Sequence, residues 1–220
     1  MTSGCSGSPV WNRTSLNERY DWIEIPTFVI GGWYDQYPDS LLRIVQHLKA
    51  PRKAIIGWPL ERAREQILYP QPGHSLGASA PAKATHALRY VPTVGVENGL
   101  WSGEVVRDQR PIDAYSLVYD TQPLEDDLEI LGMPRVMLNA SADAPLARWF
   151  VRLSDVAPDG TVTQTSWAGF NGAHRKSAEN PEPLEPGRVY PLEIELRFTS
   201  WTFPKGHRIR LSVNNAQVTD

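Results

Sequence analysis

The chain has 220 residues, of which 41 % are hydrophobic and 21 % charged, with a net charge of -3. This composition is ordinary for a globular protein, and the length suffices for one large core or two modest ones. The slight negative charge, with no basic stripe among aromatic residues, excludes charge-driven binding to nucleic acid or to an anionic membrane.

The N-terminal residues and the cysteine content favour a cytoplasmic protein. The chain begins MTSGCSGSPVW, which has neither the basic region nor the apolar stretch of a secretory signal. No apolar run approaches the roughly 18–20 residues that span a bilayer. The single cysteine, Cys5, cannot form an internal disulfide, which suits a reducing compartment. We therefore expect a cytoplasmic protein without a membrane partner.

The first regular elements are predicted between residues 27 and 57. Residues 27–31, TFVIG, form a continuous apolar run, which is typical of a parallel strand buried on both faces. Asp39 is a candidate N-cap, and the apolar residues from Leu41 to Leu48 recur at helical spacing. A second short apolar strand follows at 54–57. Together these segments predict one βαβ unit with two parallel strands.

Residues 58–92 contain five prolines and fit no regular element. Proline ends helices and cannot donate a hydrogen bond to a sheet. A segment this long without regular structure is uncommon inside a compact domain, so we interpret it as an inter-domain linker or a degenerate region. The first domain is accordingly placed at residues 1–92.

From residue 93 onward the pattern changes to short strands separated by turns. Leu192, Ile194 and Leu196 alternate with charged residues, and the apolar residues between Ile209 and Val213 do the same. Such alternation predicts strands with one buried and one wet face. Residues 158–160, Pro-Asp-Gly, predict a turn. The predicted strands cover 114–119, 135–140, 147–156, 162–168, 189–198 and 207–213. This pattern predicts an antiparallel sandwich or jelly roll over 93–220.

One carboxylate lies where α/β proteins place catalytic groups. Residues 31–35, GGWYD, follow the first buried strand, and ligands bind at the carboxyl ends of such strands. Asp35 could orient a histidine and stabilise its imidazolium form. Considered alone, Asp35 fits a loop or helix-capping role better than a catalytic one.

Several longer segments resemble the cocaine-esterase-like and X-Pro dipeptidyl-peptidase family of serine hydrolases. The resemblance covers roughly residues 17–57 and 90–220. In the family, a segment similar to IPTFVIGGWYD carries the aspartate of the catalytic triad. The segments that resemble the C-terminal jelly roll of the family are DQRPIDAYSLVYDTQPLEDDLEILGMPRV, ARWFVRLSDVAPDGTV, LEPGRVYPLEIEL and TSWTFPKGHRIRLSVNNA.

The resemblance implies an α/β-hydrolase remnant of one βαβ unit, followed by an all-β jelly-roll sandwich of galactose-binding-like type. Complete relatives cleave small esters or Xaa-Pro peptide bonds through Ser, Asp and His, and the jelly roll braces the hydrolase domain. By this resemblance Asp35 is the triad acid. The C-terminal jelly-roll domain would cover 93–220, truncated by at least one strand.

The other two members of a triad do not carry over. Where the family has a histidine after the second strand, this chain has Glu61. A carboxylate of ordinary pKa does not replace imidazole as a proton shuttle near neutral pH. The chain order Ser, Asp, His places the nucleophile before Asp35, and no G-x-S-x-G occurs there. We therefore expect the C-terminal part of a serine hydrolase, inactive as this chain alone.

One literal nucleophile motif occurs elsewhere, at residues 73–77, GHSLG. A nucleophile elbow needs a strand, a sharp turn and a helix, and the flanking prolines disfavour both the strand and the helix. We interpret Ser75 as a loop residue that matches the motif by coincidence, with a nucleophile as the alternative. His74 or His86 could replace the missing base only if the chain were rerouted there.

Two further interpretations remain open at this point. The second half could be a stand-alone jelly roll that binds carbohydrate or peptide, or the chain could be a truncated reading frame without an independent role. Tryptophans that fill the sandwich core in the first interpretation would line a ligand surface in the second: Trp101, Trp149, Trp167 and Trp201. No histidine pair has metal-site spacing, so we expect neither a metal nor a cofactor. A homo-oligomer is compatible with the sequence.

Overall fold

The computed structural model describes residues 19–29, 38–54, 64–95, 108–177 and 179–216. The chain divides into two compact units. The smaller unit comprises 1–64 and 174–182, and the larger one comprises 65–173 and 183–220. The larger unit therefore takes in residues 65–92, which the sequence assigns to the first domain as a linker.

The smaller unit is built around a parallel strand pair. Strand β1 (Thr27–Val29) pairs in parallel with β2 (Arg52–Ala54), and helix α1 (Pro38–His47) lies between them in the chain. A 3-10 turn at Tyr20–Trp22 precedes β1. Leu42, on the apolar face of α1, is 3 % exposed. The predicted βαβ connection is confirmed.

The burial predicted for the first strand is wrong. A parallel strand in a complete sheet is covered on both faces, yet Phe28 in the middle of β1 is 55 % exposed. Trp22 and Ile25, just before the strand, are 65 % and 71 % exposed. The reason is that the described part of this unit offers one helix and one neighbouring strand, which cannot cover both faces of β1.

The larger unit is mostly β. Its elements are β3 (Tyr69–Pro70), β4 (Leu76–Gly77), helix α2 (Arg110–Asp113), β5 (Leu117–Asp120), β6 (Leu128–Gly132), β7 (Arg135–Ala140), β8 (Arg148–Val156), β9 (Val162–Asn171), β10 (Tyr190–Glu195), β11 (Thr199–Phe203) and β12 (Arg208–Asn214), with a 3-10 turn (Gly172–His174) after β9 whose last residue belongs to the smaller unit. A four-stranded antiparallel sheet has the order β5–β12–β8–β9, and the other strands of this unit pair as β7–β10, β6–β11 and β3–β4.

Hydrophobic side chains from the four-stranded sheet and from β6, β7, β10 and β11 share one core. The alternation predicted for β10 is confirmed, because Leu192 and Ile194 are each 2 % exposed while Glu193 and Glu195 face solvent. The core contains Val151, Tyr190, Leu196, Phe203, Leu211 and Val213 among its buried members. The sequence predicts that four of the eight tryptophans fill the sandwich core or line a ligand surface. Trp149 is buried in this core, Trp167 and Trp201 are half-buried, and Trp101 lies outside the described residues.

Three predicted strands have limits in the structure that differ by three residues at one end, and the one predicted at 162–168 extends to Asn171 as β9. The strand predicted at 114–119 begins only at Leu117, because Ala114 caps helix α2 and donates its N–H to Arg110. The strand predicted at 189–198 ends at Glu195, and a separate strand, β11, starts at Thr199. Sequence patterns did not predict β11 or its partner β6. The turn at Pro158–Gly160 is confirmed, with Gly160 at φ +85°.

The wet face predicted for β12 is also wrong. Strand β12 lies between β5 and β8 in the centre of its sheet. On the face opposite the core, Ser212 is 0 % and Asn214 is 1 % exposed. Arg210 on that face reaches Asp113 of α2 and Asp120 of β5. The polar residues of β12 therefore form an internal layer of charged and polar groups instead of a solvated surface.

Gly172 is held where a side chain would collide with the core. A Cβ atom added there would lie 2.7 Å from Cζ3 of Trp149, 3.0 Å from Cδ1 of Leu184 and 3.2 Å from the carbonyl oxygen of Ala147. Gly172→Ala is expected to destabilise the larger unit by roughly 1–3 kcal/mol in urea unfolding, because an overpacked core must shift. Gly73→Ala, where nothing lies within 4 Å of the added atom, is the matched control. Equal unfolding midpoints for the two variants would contradict the prediction.

Candidate functional site

Asp35 and the GGWYD segment lie outside the described residues, as does Glu61 at the position expected for the histidine. Within the described ranges, no three His, Cys, Asp or Glu side chains converge in a way that could hold a metal ion. In the same ranges, no helix combines the length and the apolar character needed to cross a bilayer.

The GHSLG motif forms a tight hairpin on the edge of the four-stranded sheet. The backbone N–H of Gln71 donates to the carbonyl of Ser75 at 2.8 Å, which closes the hairpin between β3 and β4. Ser75 also forms an isolated parallel bridge with Asp120 at the end of β5. The residues after β4, from 78 to 95, contain no helix. The positive φ of the hairpin, 60°, belongs to His74 and not to Ser75.

The two histidines of this region stack on each other and on a tyrosine. The ring centroids of His74 and His86 are 4.4 Å apart, and both rings stack on Tyr119 of β5. His86 Nε2 lies 3.2 Å from the carbonyl oxygen of Pro72, so this nitrogen carries a proton. In the neutral ring Nδ1 then accepts from the Tyr119 hydroxyl at 2.7 Å. Burial raises the pKa of Tyr119, which keeps its hydroxyl protonated as a donor.

This arrangement fixes a surface hairpin and does not resemble an activated nucleophile. His74 Nδ1 lies 3.2 Å from the carbonyl oxygen of Val118, and both nitrogens of His86 are used as described above. No described histidine forms a hydrogen bond with the Ser75 hydroxyl, which is the contact that nucleophile activation requires. In this geometry Ser75 lies in a hairpin, and no described histidine is placed to activate its hydroxyl.

A cleft lies at one end of the four-stranded sheet. Because the sheet is antiparallel, the ends of β5 and β8 lie beside the start of β12 there. Val156 of β8 pairs with Arg208, and Asp120 of β5 pairs with Arg210. The cleft has a volume of about 380 Å³, which is within the range of small-molecule sites. Its lining residues are Asp120, Pro123, Val156, Ala157, Pro158, Gly160, Gly206 and Arg208.

Backbone hydrogen bonds hold the rim of this cleft in place. Two backbone hydrogen bonds hold the loop after β5 against the turn before β12. The N–H of Leu124 donates to the carbonyl oxygen of His207 at 2.8 Å, and the N–H of Gly206 donates to the carbonyl oxygen of Leu124 at 2.9 Å. The turn after β8 is closed by the N–H of Ala157, which donates to Thr161 at 2.9 Å. All three segments of the rim are therefore preformed, which lowers the ordering cost of binding a ligand.

A charged layer of two arginines and two aspartates lies beside the cleft. Arg210 donates from Nε and Nη2 to the two oxygens of Asp120, both at 2.7 Å, and from Nη1 to Asp113 at 3.0 Å. These bonds, chiefly those to Asp120, raise the pKa of Arg210 above its ordinary value. Arg152 donates to the other oxygen of Asp113 at 2.7 Å. Burial lowers the pKa of Arg152, while Asp113 opposes that effect.

A second polar cluster joins two sheets near the same end. Asp155 of β8 is 5 % exposed. It accepts from His207 Nδ1 at 2.8 Å and from Trp201 Nε1 of β11 at 3.1 Å. Because β8 and β11 belong to different sheets, we call Asp155, His207 and Trp201 the inter-sheet clamp. The arrangement orients His207, but the described residues place no nucleophile beside it.

Sequence reasoning assigns no functional role to the residues that line the cleft, although Pro158 and Gly160 belong to the turn that it predicts. Arg208 alternates with the apolar residues of β12 and is predicted only to face solvent, and Asp120 has no predicted role. The only available signal was that both lie at the limits of predicted strands, where loops of an antiparallel sheet converge. The residues singled out, Ser75 and His74, are brought next to Asp120 by the hairpin, while Asp35 lies outside the described residues.

Comparison with known proteins gives a consistent set of relatives. Residues 32–217 match the family described as the X-Pro dipeptidyl-peptidase C-terminal non-catalytic domain. A putative serine esterase of Mycobacterium bovis is 29 % identical over 189 residues, covering 74 % of this chain and 30 % of the relative. Cocaine esterase of a Rhodococcus species is 32 % identical over 111 residues, covering 50 % of this chain and 19 % of the esterase.

Solved structures include a similar fold at comparable coverage. An α-amino acid ester hydrolase superposes with a TM-score of 0.64 and 25 % identity, covering 78 % of this chain and 34 % of the hydrolase chain. The present chain thus spans about a third or less of the length of these relatives. All of the shared structure lies in one portion of much longer hydrolases.

Proposed function

This chain belongs to the family of X-Pro dipeptidyl-peptidase C-terminal non-catalytic domains, and we propose that it is the C-terminal, structural part of a serine hydrolase. The whole enzyme would cleave small acyl esters or Xaa-Pro peptide bonds. The observation that carries this proposal is the family match, which covers residues 32–217 and hence most of the chain. The family members among its relatives carry the names of esterases and a cocaine esterase.

We further propose an assignment for each of the two units. The mostly antiparallel larger unit would be the jelly roll of galactose-binding-like type, which braces the hydrolase domain and helps to wall its active site. The smaller unit would be the remnant of the α/β-hydrolase sheet. The parallel pairing of β1 with β2 through helix α1 supports the second assignment, because a right-handed βαβ unit is the repeating element of such sheets.

Asp35 would be the residue that this chain contributes to the catalytic triad of the complete enzyme. In that proposal Asp35 holds a catalytic imidazole in its working tautomer. The nucleophilic serine would precede Asp35 in the complete enzyme, and Glu61 stands at the position expected for the histidine. The chain by itself would therefore be inactive. We place it in the cytoplasm, on the sequence arguments given above.

The second candidate function is a stand-alone binding module. The observation in its favour is the preformed cleft of about 380 Å³ at the end of the four-stranded sheet. A carbohydrate- or peptide-binding module would need that cleft and no catalytic residue. The two proposals differ in the role of the smaller unit. The hydrolase proposal requires this unit, and the binding-module proposal does not.

The proposal is tested by labelling with a fluorophosphonate probe, which reacts with activated serines. The purified chain is expected to show no labelling, with a Ser75→Ala variant as the matched control. A chimera in which residues 65–216 replace the corresponding portion of a complete relative is expected to fold and to be labelled. Labelling of the chain that disappears in Ser75→Ala would show that GHSLG is a working nucleophile. A chimera that does not fold would contradict the bracing role.

A further inference from the structure

We propose that the cleft between the ends of β5 and β8 and the start of β12 binds a small organic carboxylate, with Arg208 as its cationic partner. This proposal concerns the larger unit alone and does not depend on the hydrolase assignment. It rests on the free hydrogen-bonding capacity of Arg208, on the charge balance of the neighbouring groups and on the apolar walls of the cleft.

Arg208 differs from the other arginines around it. Its side chain is half-buried and makes one hydrogen bond, from Nη1 to the carbonyl oxygen of Thr121 at 2.8 Å. Among the described residues no carboxylate pairs with it, whereas Arg210 and Arg152 both have aspartate partners. A guanidinium carries five N–H donors in a fork that matches a carboxylate. Arg208 therefore retains donors for a ligand inside the cleft.

The aspartates of the charged layer pair with Arg152 and Arg210 and not with Arg208. Asp120 also lines the cleft, but both of its oxygens already accept from Arg210. The charged layer described above holds two cations and two anions, so it leaves Arg208 as an additional positive charge.

The groups on the outer rim are paired or bound to the backbone. Arg110 lies near Gly160, since a Cβ added to Gly160 would be 3.8 Å from its Nη1. Arg110 forms an ion pair with Asp108, and this pair lowers the pKa of the Asp108 carboxyl. Asp159 on the exposed turn accepts from the backbone N–H of Thr161 at 2.9 Å. Neither rim carboxylate pairs with Arg208, so its guanidinium remains available to an anionic ligand in the cleft.

The remaining lining favours a compact apolar body. Pro123, Val156, Ala157 and Pro158 contribute apolar surface, and Gly160 and Gly206 keep the opening free of side chains. A cleft of about 380 Å³ is near the lower end of small-ligand sites. The combination of one guanidinium and apolar walls suits a carboxylate on a short branched chain. Two sources share this chemistry, a free carboxylic acid and the C-terminal carboxylate of a short peptide.

The test is calorimetric titration of the full chain with isovalerate and with glycylvaline, each beside its neutral amide. We expect at least one carboxylate to bind and its amide to bind at least tenfold more weakly, because a charge-assisted bond to Arg208 would be lost. Binding of isovalerate alone would assign the free acid, and binding of glycylvaline alone would assign the peptide terminus. The proposal would be overturned if the amides bound as tightly as the acids. It would also be overturned if neither acid bound.

Variants of the cleft decide whether Arg208 is the site. Arg208→Gln is expected to weaken carboxylate binding at least tenfold and Arg208→Lys to weaken it less, while Arg135→Gln on the exposed face of β7 leaves it unchanged. Ala157→Leu keeps Arg208 and fills the cleft, so it is also expected to abolish binding, which keeps the test decisive if Arg208→Gln does not fold. Carboxylate binding that survives in folded Arg208→Gln and Ala157→Leu, or inorganic phosphate that binds as tightly, would contradict the proposal.

Discussion

Asp113→Ala is expected to destabilise the larger unit by about 3–5 kcal/mol, the usual cost of removing one partner from a buried ion pair. Asp113 bridges Arg152 of β8 and Arg210 of β12, with N–O distances of 2.7 and 3.0 Å. The Asp113 side chain is 4 % exposed and that of Arg152 is 2 % exposed. Removing the carboxylate therefore leaves a guanidinium in the interior without a counter-charge.

The other contacts of Arg152 cannot replace Asp113. The Ser116 hydroxyl lies 3.3 Å from Nη2, and the amide oxygen of Asn214, in the orientation that satisfies its neighbours, lies 3.0 Å from Nη1. Both are neutral acceptors, and Nε has no hydrogen-bond partner at all. Arg210 keeps its second carboxylate, Asp120, so the loss falls mainly on Arg152.

Urea unfolding of the full chain measures this loss, with an exposed ion pair as the matched control. Arg135 and Glu193 pair across β7 and β10 at 3.5 Å, with side chains 62 % and 56 % exposed. Glu193→Ala is expected to cost less than about 1 kcal/mol, because solvent screens surface pairs. Asp113→Asn keeps the shape but removes the charge, and its cost should lie between the two. If Asp113→Ala cost no more than Glu193→Ala, charge compensation of Arg152 would not be its role.

Strands β10 and β12 show why sequence patterns predicted some of the fold and missed the candidate site. Alternation with a period of two correctly gave the buried face of β10, where Leu192 and Ile194 enter the core. In β12 the same alternation located the apolar face but could not show what covers the other one. That face meets Asp113 and Asp120, which lie 97 and 90 residues before Arg210 in the chain. Such pairings depend on topology and leave no local signal.

Short motifs had the opposite weakness, because they carry chemical detail without tertiary context. GHSLG matches a nucleophile motif in letters, yet the prolines around it correctly disfavoured the helix of an elbow, and the structure has a hairpin. A short strand does form before the motif, because β3 (Tyr69–Pro70) includes one of those prolines. The cleft had no motif at all, since its residues come from the ends of three strands. The parallel pairing of β1 and β2 was predictable because both strands and the helix between them are contiguous in sequence.

His207→Ala is expected to cost about 3 kcal/mol, because it removes a donor from the buried carboxylate of Asp155. The Nδ1–H of His207 donates to one oxygen of Asp155 at 2.8 Å, while Trp201 donates to the other at 3.1 Å. His207 can make this bond as the neutral ring or as the cation. Without the hydrogen bond from His207, the carboxylate of Asp155 keeps only Trp201 as a side-chain donor. Asp155 is 5 % exposed, so water replaces the lost donor poorly.

Rescue and coupling distinguish the clamp from simple loss of packing. His207→Asn can place its amide N–H near the position of the lost Nδ1–H, so it should unfold at a higher urea concentration than His207→Ala. Asp155→Asn removes the buried charge, and His207→Ala should then cost less in the Asp155→Asn background, with a coupling of about 1–3 kcal/mol. Additive effects of the two substitutions would show that the ring of His207 contributes by packing alone. A measured coupling would instead mean that the Nδ1–H of His207 helps to satisfy the charge of Asp155, the carboxylate to which Trp201 of β11 donates from the other sheet.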